Sequence, residues 1–226
     1  MEELVGGPHV WRGRGSGAAR SVVPTGFAAL DRVLPGGGWP WGAVIEIFAE
    51  RPGIGELRLW MPAIAASSRA RDRLWIVFVA PPLIPYPPAL ARCGIDLDRV
   101  LLVDTRDTAA EASWATEQSV RSGACIVVLA WLRSVDDTAL RRFQLAAEAK
   151  ECALLLFRPM AGLARRSPAA LRLRLTKDGD KTRVEILKCR GGRPARVDLD
   201  LDLGDGDFAE SRSACASSRA GESRCG

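Results

Sequence analysis

Two hydrophobic patterns divide the chain. Up to residue 158, short, mostly apolar runs alternate with stretches of helical spacing. The runs are residues 44–48, 74–80, 100–103, 125–131 and 153–157. Apolar runs of this length predict strands buried on both faces, as in a parallel sheet. Between the first two, Leu57, Trp60, Met61, Ile64 and Ala65 recur at i, i+3, i+4, i+7 and i+8. That spacing predicts an amphipathic helix. Pro62 sits inside it and removes a hydrogen bond to the Arg58 carbonyl, so a kink or a late helix start is expected. Further helices are expected over residues 89–93, closed by Gly94, over 109–122 with Trp114, Ala115, Gln118 and Arg121 at helical spacing, and over 138–150 through Leu140, Phe143 and Ala147. Residues 81–88 read as a stiff proline loop. Strands and helices joined by short links predict an α/β fold, a mostly parallel sheet flanked by helices.

After Pro159 the period becomes two. Residues 171–175, 183–186 and 197–203 alternate apolar with polar, which predicts half-exposed strands in an antiparallel C-terminal extension. At the front, Phe27, Leu30, Val33 and Leu34 share a face of a short helix within residues 21–34, with Thr25 as candidate N-cap. Residues 35–40 then break the chain. The domain is read as residues 21–203. Residues 1–20 are read as a flexible arm and 204–226 as a disordered tail. Trp11 in the arm reads as packing on its own domain, with partner contact as the alternative.

Composition narrows the chemistry. The 226 residues are 47% hydrophobic, enough for one sizeable core. A net charge of +5 permits, without demanding, an acidic partner or nucleic acid. Six scattered cysteines and one histidine, His9, leave no structural zinc spacing and no nucleophile–histidine set outside the arm. No metal and no cofactor is expected. With no signal-peptide core and no membrane-length apolar run, the expected location is the cytoplasm and no membrane partner is expected.

The stretch from Ala43 to Trp60 has the layout of a phosphate-binding loop: strand, glycine turn, helix start. The signature G-x-x-x-x-G-K-[ST] laid on residues 50–57 keeps only Gly55. Gly53 lies between the signature positions, Glu56 replaces the lysine and Leu57 the magnesium-binding hydroxyl. A unit charge about 4 Å from a phosphate charge is worth roughly 4 kcal/mol at an effective dielectric near 20, and exchanging Lys for Glu reverses its sign. Glu56 reads as a carboxylate favouring the positive end of a helix.

Val23-Pro-Thr-Gly-Phe-Ala-Ala-Leu-Asp31, Gly36-Gly-Gly-Trp-Pro-Trp-Gly42, the segment 91–102, Arg121-Ser-Gly-Ala124 and Thr182-Arg-Val-Glu-Ile-Leu-Lys188 together resemble the RecA family of recombinases, in order over residues 21–203. Within that superfamily, Pro35-Gly-Gly-Gly-Trp-Pro40, Pro52-Gly-Ile-Gly-Glu-Leu-Arg-Leu59, the segment 80–90 and Phe157-Arg-Pro159 resemble the ImuA family, RecA/SulA-like accessory proteins of bacterial SOS mutagenesis cassettes. The resemblance implies a RecA-like core. It also exposes departures. Leu129 holds the position of the magnesium-organising aspartate, and Pro81 that of the water-activating glutamate. With the lysine and hydroxyl also gone, the resemblance implies an inactive ATPase core, hence no enzyme; nucleotide held through a rearranged site is the alternative. The partners it implies are an ImuB-like Y-family polymerase homologue, an error-prone replicative-type DNA polymerase subunit, RecA and DNA. Two other functions remain open: a SulA-like inhibitor of the tubulin-like division protein, and an ATP-dependent recombinase.

Residues 158–196 hold twelve Lys or Arg against three carboxylates, a local charge of +9. Arg158, Arg165, Arg166, Arg172, Arg174, Lys188 and Arg190 are the candidate DNA or partner contacts. Arg172 and Arg174 must share the strand face opposite the leucines. A solvated strand face is the plain alternative. The carboxylates at 198, 200 and 202 read as solvating one face.

Overall fold

The computed structural model describes residues 21–71, 73–105 and 108–201. The expected arm, and the expected tail with the last residues before it, lie outside the described residues. A two-stranded antiparallel pair, β1 (Val22–Val23) with β2 (Trp39–Pro40), flanks the short helix α1 (Ala28–Asp31). The main sheet then forms from β3 (Val44–Ala49), β4 (Trp75–Val79), β5 (Val100–Val103), β6 (Cys125–Trp131), β7 (Ala153–Arg158), β8 (Leu171–Asp178), β9 (Lys181–Cys189) and β10 (Ala195–Leu199). Its strand order is β10-β9-β8-β3-β7-β6-β4-β5. Every pairing from β8 across to β5 is parallel, and β8–β9 and β9–β10 are antiparallel.

This is the mixed, mostly parallel sheet that the two periodicities predict. One detail differs. β8 carries the alternating pattern yet lies parallel to β3, so the antiparallel extension begins only at β9. Alternation reports one more polar face, not strand direction, and among the described residues no α-helix packs on that face of β8.

The helices α2 (Met61–Ala70) and α3 (Pro87–Arg92) lie with α1 on one face, and α4 (Ala109–Arg121) and α5 (Asp137–Lys150) on the other. On the first face Leu30, Ile64 and Leu90 pack with Ile45, Ile47, Ile76 and Phe78. On the second Ala115, Val120, Leu140 and Phe143 pack with Val44, Val128, Leu154 and Leu156. Thr108 caps α4 by accepting from the Glu111 N–H at 3.1 Å, and Asp136 caps α5 by accepting from Ala139 N–H. Each satisfies a donor that the first helical turn leaves orphaned.

Three local expectations change. Thr25 caps no helix: its buried hydroxyl accepts from Phe27 N–H at 2.9 Å, and Phe27 itself occupies the N-cap position of α1. α2 starts late, at Met61, with Pro62 in its first turn, where the missing N–H costs nothing. α4 buries Ala112, Ala115, Thr116 and Val120 but leaves Trp114 66% exposed.

Candidate functional site

The C-terminal ends of the parallel strands gather the candidate chemistry, the place where open α/β sheets put their ligand crevices. β3 ends at Ala49, and residues 50–60 turn into α2. Gly53 and Gly55 adopt φ of +83° and +98°, a region that side-chain-bearing residues rarely enter. A Cβ on Gly55 would also stand 3.0 Å from Leu201 Cδ1. The loop is tied down elsewhere too. Thr182 Oγ1 on β9 donates to the Ile54 carbonyl at 3.2 Å, and Arg58 Nη1 donates to the Leu201 carbonyl at 3.3 Å.

Glu56 is only 6% exposed. Its carboxylate turns back into the loop and accepts the Gly53 N–H through both oxygens, at 2.8 and 3.0 Å, and the Ile54 N–H at 2.9 Å. Successive backbone N–H groups in a turn make an anion-binding concavity. Here the chain's own carboxylate fills it. The sequence reading of Glu56 as a charge at a helix end is therefore corrected: α2 begins five residues later, and the carboxylate serves the loop. The loop still holds an anion, an internal one. Leu57, in place of the hydroxyl, packs against the core.

Beside the loop lies a cavity of about 320 Å³. Ile47, Ala80, Pro82, Trp131, Phe157 and Pro159 give it apolar walls, with Glu56 at one side. Trp131 and Phe157 are register partners on β6 and β7, and their rings stack at 4.5 Å with planes 10° apart. Phe78 continues the row at 6.3 Å from Trp131. Leu129 is fully buried between β4 and β7, paired with Phe78 and Leu155. Pro81 follows Ala80, which is held at φ 50°. An aromatic row thus ends the three strands beside the loop.

The basic residues separate into distinct environments. Arg158 is buried and ion-paired with Glu46, itself fully buried on β3. It has no surface to offer DNA, so its reading as a surface contact is corrected: a lone carboxylate inside the sheet has claimed it. Arg172 joins the same carboxylate, Nε to Oε2 at 2.9 Å, and donates to the Gly162 and Leu163 carbonyls at 3.3 and 3.1 Å. Its guanidinium also lies 4.9 Å over the Phe48 ring. Arg174 pairs with Glu185. Arg190 reaches Glu148 at 3.3 Å and the Pro168 carbonyl at 3.0 Å. Lys188 donates to the Ser167 carbonyl at 2.6 Å. Desolvation, then the neighbouring Arg190 and Arg172, hold its ammonium below the ordinary 10.5. Arg165 and Arg166 are exposed on the turn after β7.

Arg172 and Arg174 do share the face opposite the leucines, and among the described residues no α-helix covers that side of β8–β10. Much of its charge is neutralised within the sheet, with Arg183 bound to Asp198 at 2.9 Å. The sequence reading missed Glu46. Its signal was present: one carboxylate in an otherwise apolar buried strand requires a cationic partner. Among the described residues, no group of three or more His, Cys, Asp and Glu could hold a metal, and no helix is long and apolar enough to cross a membrane.

Known proteins resemble parts of the chain. RecA of Salinispora arenicola is 37% identical over 110 residues, 48% of this chain and 30% of that protein. RecA of Clavibacter michiganensis is 34% identical over 109 residues, 48% of this chain and 29% of its own length. SulA of Pseudomonas aeruginosa, a cell division inhibitor by name, is 29% identical over 92 residues, 41% of this chain and 56% of its own length. The chain thus spans less than a third of these RecA proteins and just over half of SulA. No family model matches it. The chain is RecA- and SulA-like over just under half its length.

Proposed function

We propose that this chain is an ImuA-like, non-catalytic accessory factor of SOS-induced error-prone translesion DNA synthesis. It acts as an adaptor between an ImuB-like Y-family polymerase homologue, an error-prone replicative-type polymerase subunit and, in the same assembly, RecA and DNA. The observation that carries the reading is the Glu56 carboxylate on the Gly53 and Ile54 N–H groups. A polyphosphate would have to displace a bound anion from the loop and then sit beside it. The buried Leu129 and the stacked Trp131 and Phe157 support the same reading, because they put apolar surface where phosphoryl transfer needs metal-binding oxygens. A core without a nucleotide switch assembles by affinity and concentration alone. Similarity to both RecA and SulA fits a RecA-like scaffold kept for docking.

Co-expression with the polymerase-like partner tests this. Co-purification of the two proteins, with no ATP turnover by the purified chain, is expected. Absence of binding to that partner and to DNA, or turnover at a recombinase-like rate, overturns it. A second reading rests on the SulA similarity, which covers a larger share of the relative than the RecA matches do. It makes the chain an inhibitor of the tubulin-like division protein. Filamentous cells on overproduction favour that reading, and unchanged division favours the adaptor.

A further inference from the structure

The cavity beside the loop is a feature that the nucleotide layout does not absorb. Its walls are the stacked Trp131 and Phe157 with Ile47, Ala80, Pro82 and Pro159. At about 320 Å³ it lies at the low end of the roughly 300–1,000 Å³ typical of ligand pockets, large enough for an aromatic side chain. The Glu56 carboxylate at its side repels polyphosphate.

Two further observations describe the occupant. First, Pro82 in the wall leads directly into the proline loop, where Leu83, Ile84 and Tyr86 are 71%, 77% and 66% exposed. An apolar pocket continued by exposed apolar side chains is larger than one small ligand needs, and it marks an interaction surface. Prolines stiffen that rim, so little entropy is lost when it docks. Second, Arg51 and Arg133 on the lining carry no ion pair among the described residues, against one such carboxylate, Glu50, since both Glu56 oxygens are engaged.

We infer that this cavity is a docking site for a partner-protein segment that inserts an aromatic side chain between the Trp131–Phe157 wall and Pro82 and sets an adjacent carboxylate against Arg51 and Arg133. The segment's backbone runs over Leu83, Ile84 and Tyr86. This deepens the adaptor reading by giving the partner segment a chemistry, and it rests on that reading only for the partner's identity.

The full chain is titrated against a fluorescein-labelled peptide of sequence Gly-Asp-Asp-Trp-Asp-Leu-Gly, read by anisotropy. Saturable micromolar binding is expected, weakened about tenfold when alanine replaces the peptide's tryptophan, as for an anchor residue. Arg133→Glu, a change at an exposed position, is expected to weaken it by a similar factor of about ten. Ala49→Leu, which fills the cavity from β3, is expected to abolish it. Because Ala49→Leu also perturbs packing, Arg133→Glu carries the decision. Equal affinity for the tryptophan and alanine peptides, or no effect of Arg133→Glu, overturns the inference, as does displacement of the peptide by ATP. Loss of peptide binding with co-purification of the polymerase-like partner intact would remove this site and leave the adaptor role standing on another surface.

Discussion

Glu46 Oε2 lies 2.9 Å from Arg172 Nε, between residues that are direct register partners on the parallel strands β3 and β8. The other carboxylate oxygen engages Arg158 from β7, so one buried anion ties three adjacent strands together. Buried ion pairs seldom stabilise more than well-packed apolar groups of the same volume, but breaking one leaves an uncompensated charge. Glu46→Ala is therefore expected to lower stability by about 3–5 kcal/mol. The triple change Glu46→Leu, Arg158→Met and Arg172→Leu is expected to restore most of it. Urea unfolding followed by circular dichroism checks both. A cost under about 1 kcal/mol for Glu46→Ala, the size of an ordinary substitution, would mean that water reaches the two arginines.

The carboxylate of Glu56 is the second test. Glu56→Ala is expected to cost about 1–3 kcal/mol, since charge-assisted bonds to Gly53 and Ile54 N–H are lost. Glu56→Lys frees the same N–H groups and supplies a cation, so millimolar pyrophosphate should raise its melting temperature and leave that of the unchanged protein alone. Thermal shift with and without pyrophosphate reads both. Equal shifts in the two proteins would show that the internal carboxylate does not block the loop.

Gly38 faces a different constraint. A Cβ there would stand 2.3 Å from the Val23 carbonyl oxygen across the β1–β2 pair. That atom is backbone and cannot swing away. Gly38→Ala is expected to lower stability by roughly 2 kcal/mol or more, as other overpacking changes do. The measurement is the denaturant midpoint.

Cys152 links stability to alkaline pH. Desolvation, with neighbouring Cys125 adding to it, pushes its thiol far above the ordinary 9.0. The folded state therefore keeps a proton that the unfolded state releases above about pH 9. The contribution is complete below that pH and is lost as pH rises beyond it. Cys152→Ala should flatten part of the alkaline fall in stability. Among the described cysteines of the native protein, a thiol reagent mapped by mass spectrometry should spare Cys152 and Cys125 and modify the half-buried Cys93 and Cys189 first.

DNA contact, where it occurs, should run through the exposed Arg165 and Arg166 rather than Arg158. Each phosphate neutralised contributes about 0.9 to the slope of log affinity against log salt on duplex DNA. Replacing both with alanine should reduce that slope by up to about 2. Replacing Arg174, already engaged by Glu185, should change it little.

The order of strands and helices was legible because burial imposes periodicity. Residues 125–131 could only be a strand hidden on both faces, and the leucines of 171–175 could only share one side. Glu56 and Leu57, where the phosphate-loop signature has a lysine and a hydroxyl, were equally plain in the residue types. What the one-dimensional pattern could not carry was partnership. Nothing between positions 46 and 172 says that one carboxylate will hold two arginines, because strand order decides it. Nothing local says that Glu56 folds back onto Gly53 and Ile54, because that follows from where α2 begins and how β9 and Leu201 pin the loop. The cavity is likewise a property of four strand ends brought side by side. Burial period is written along the chain, whereas the pairing of charges and the shape of a cavity depend on which distant segments become neighbours.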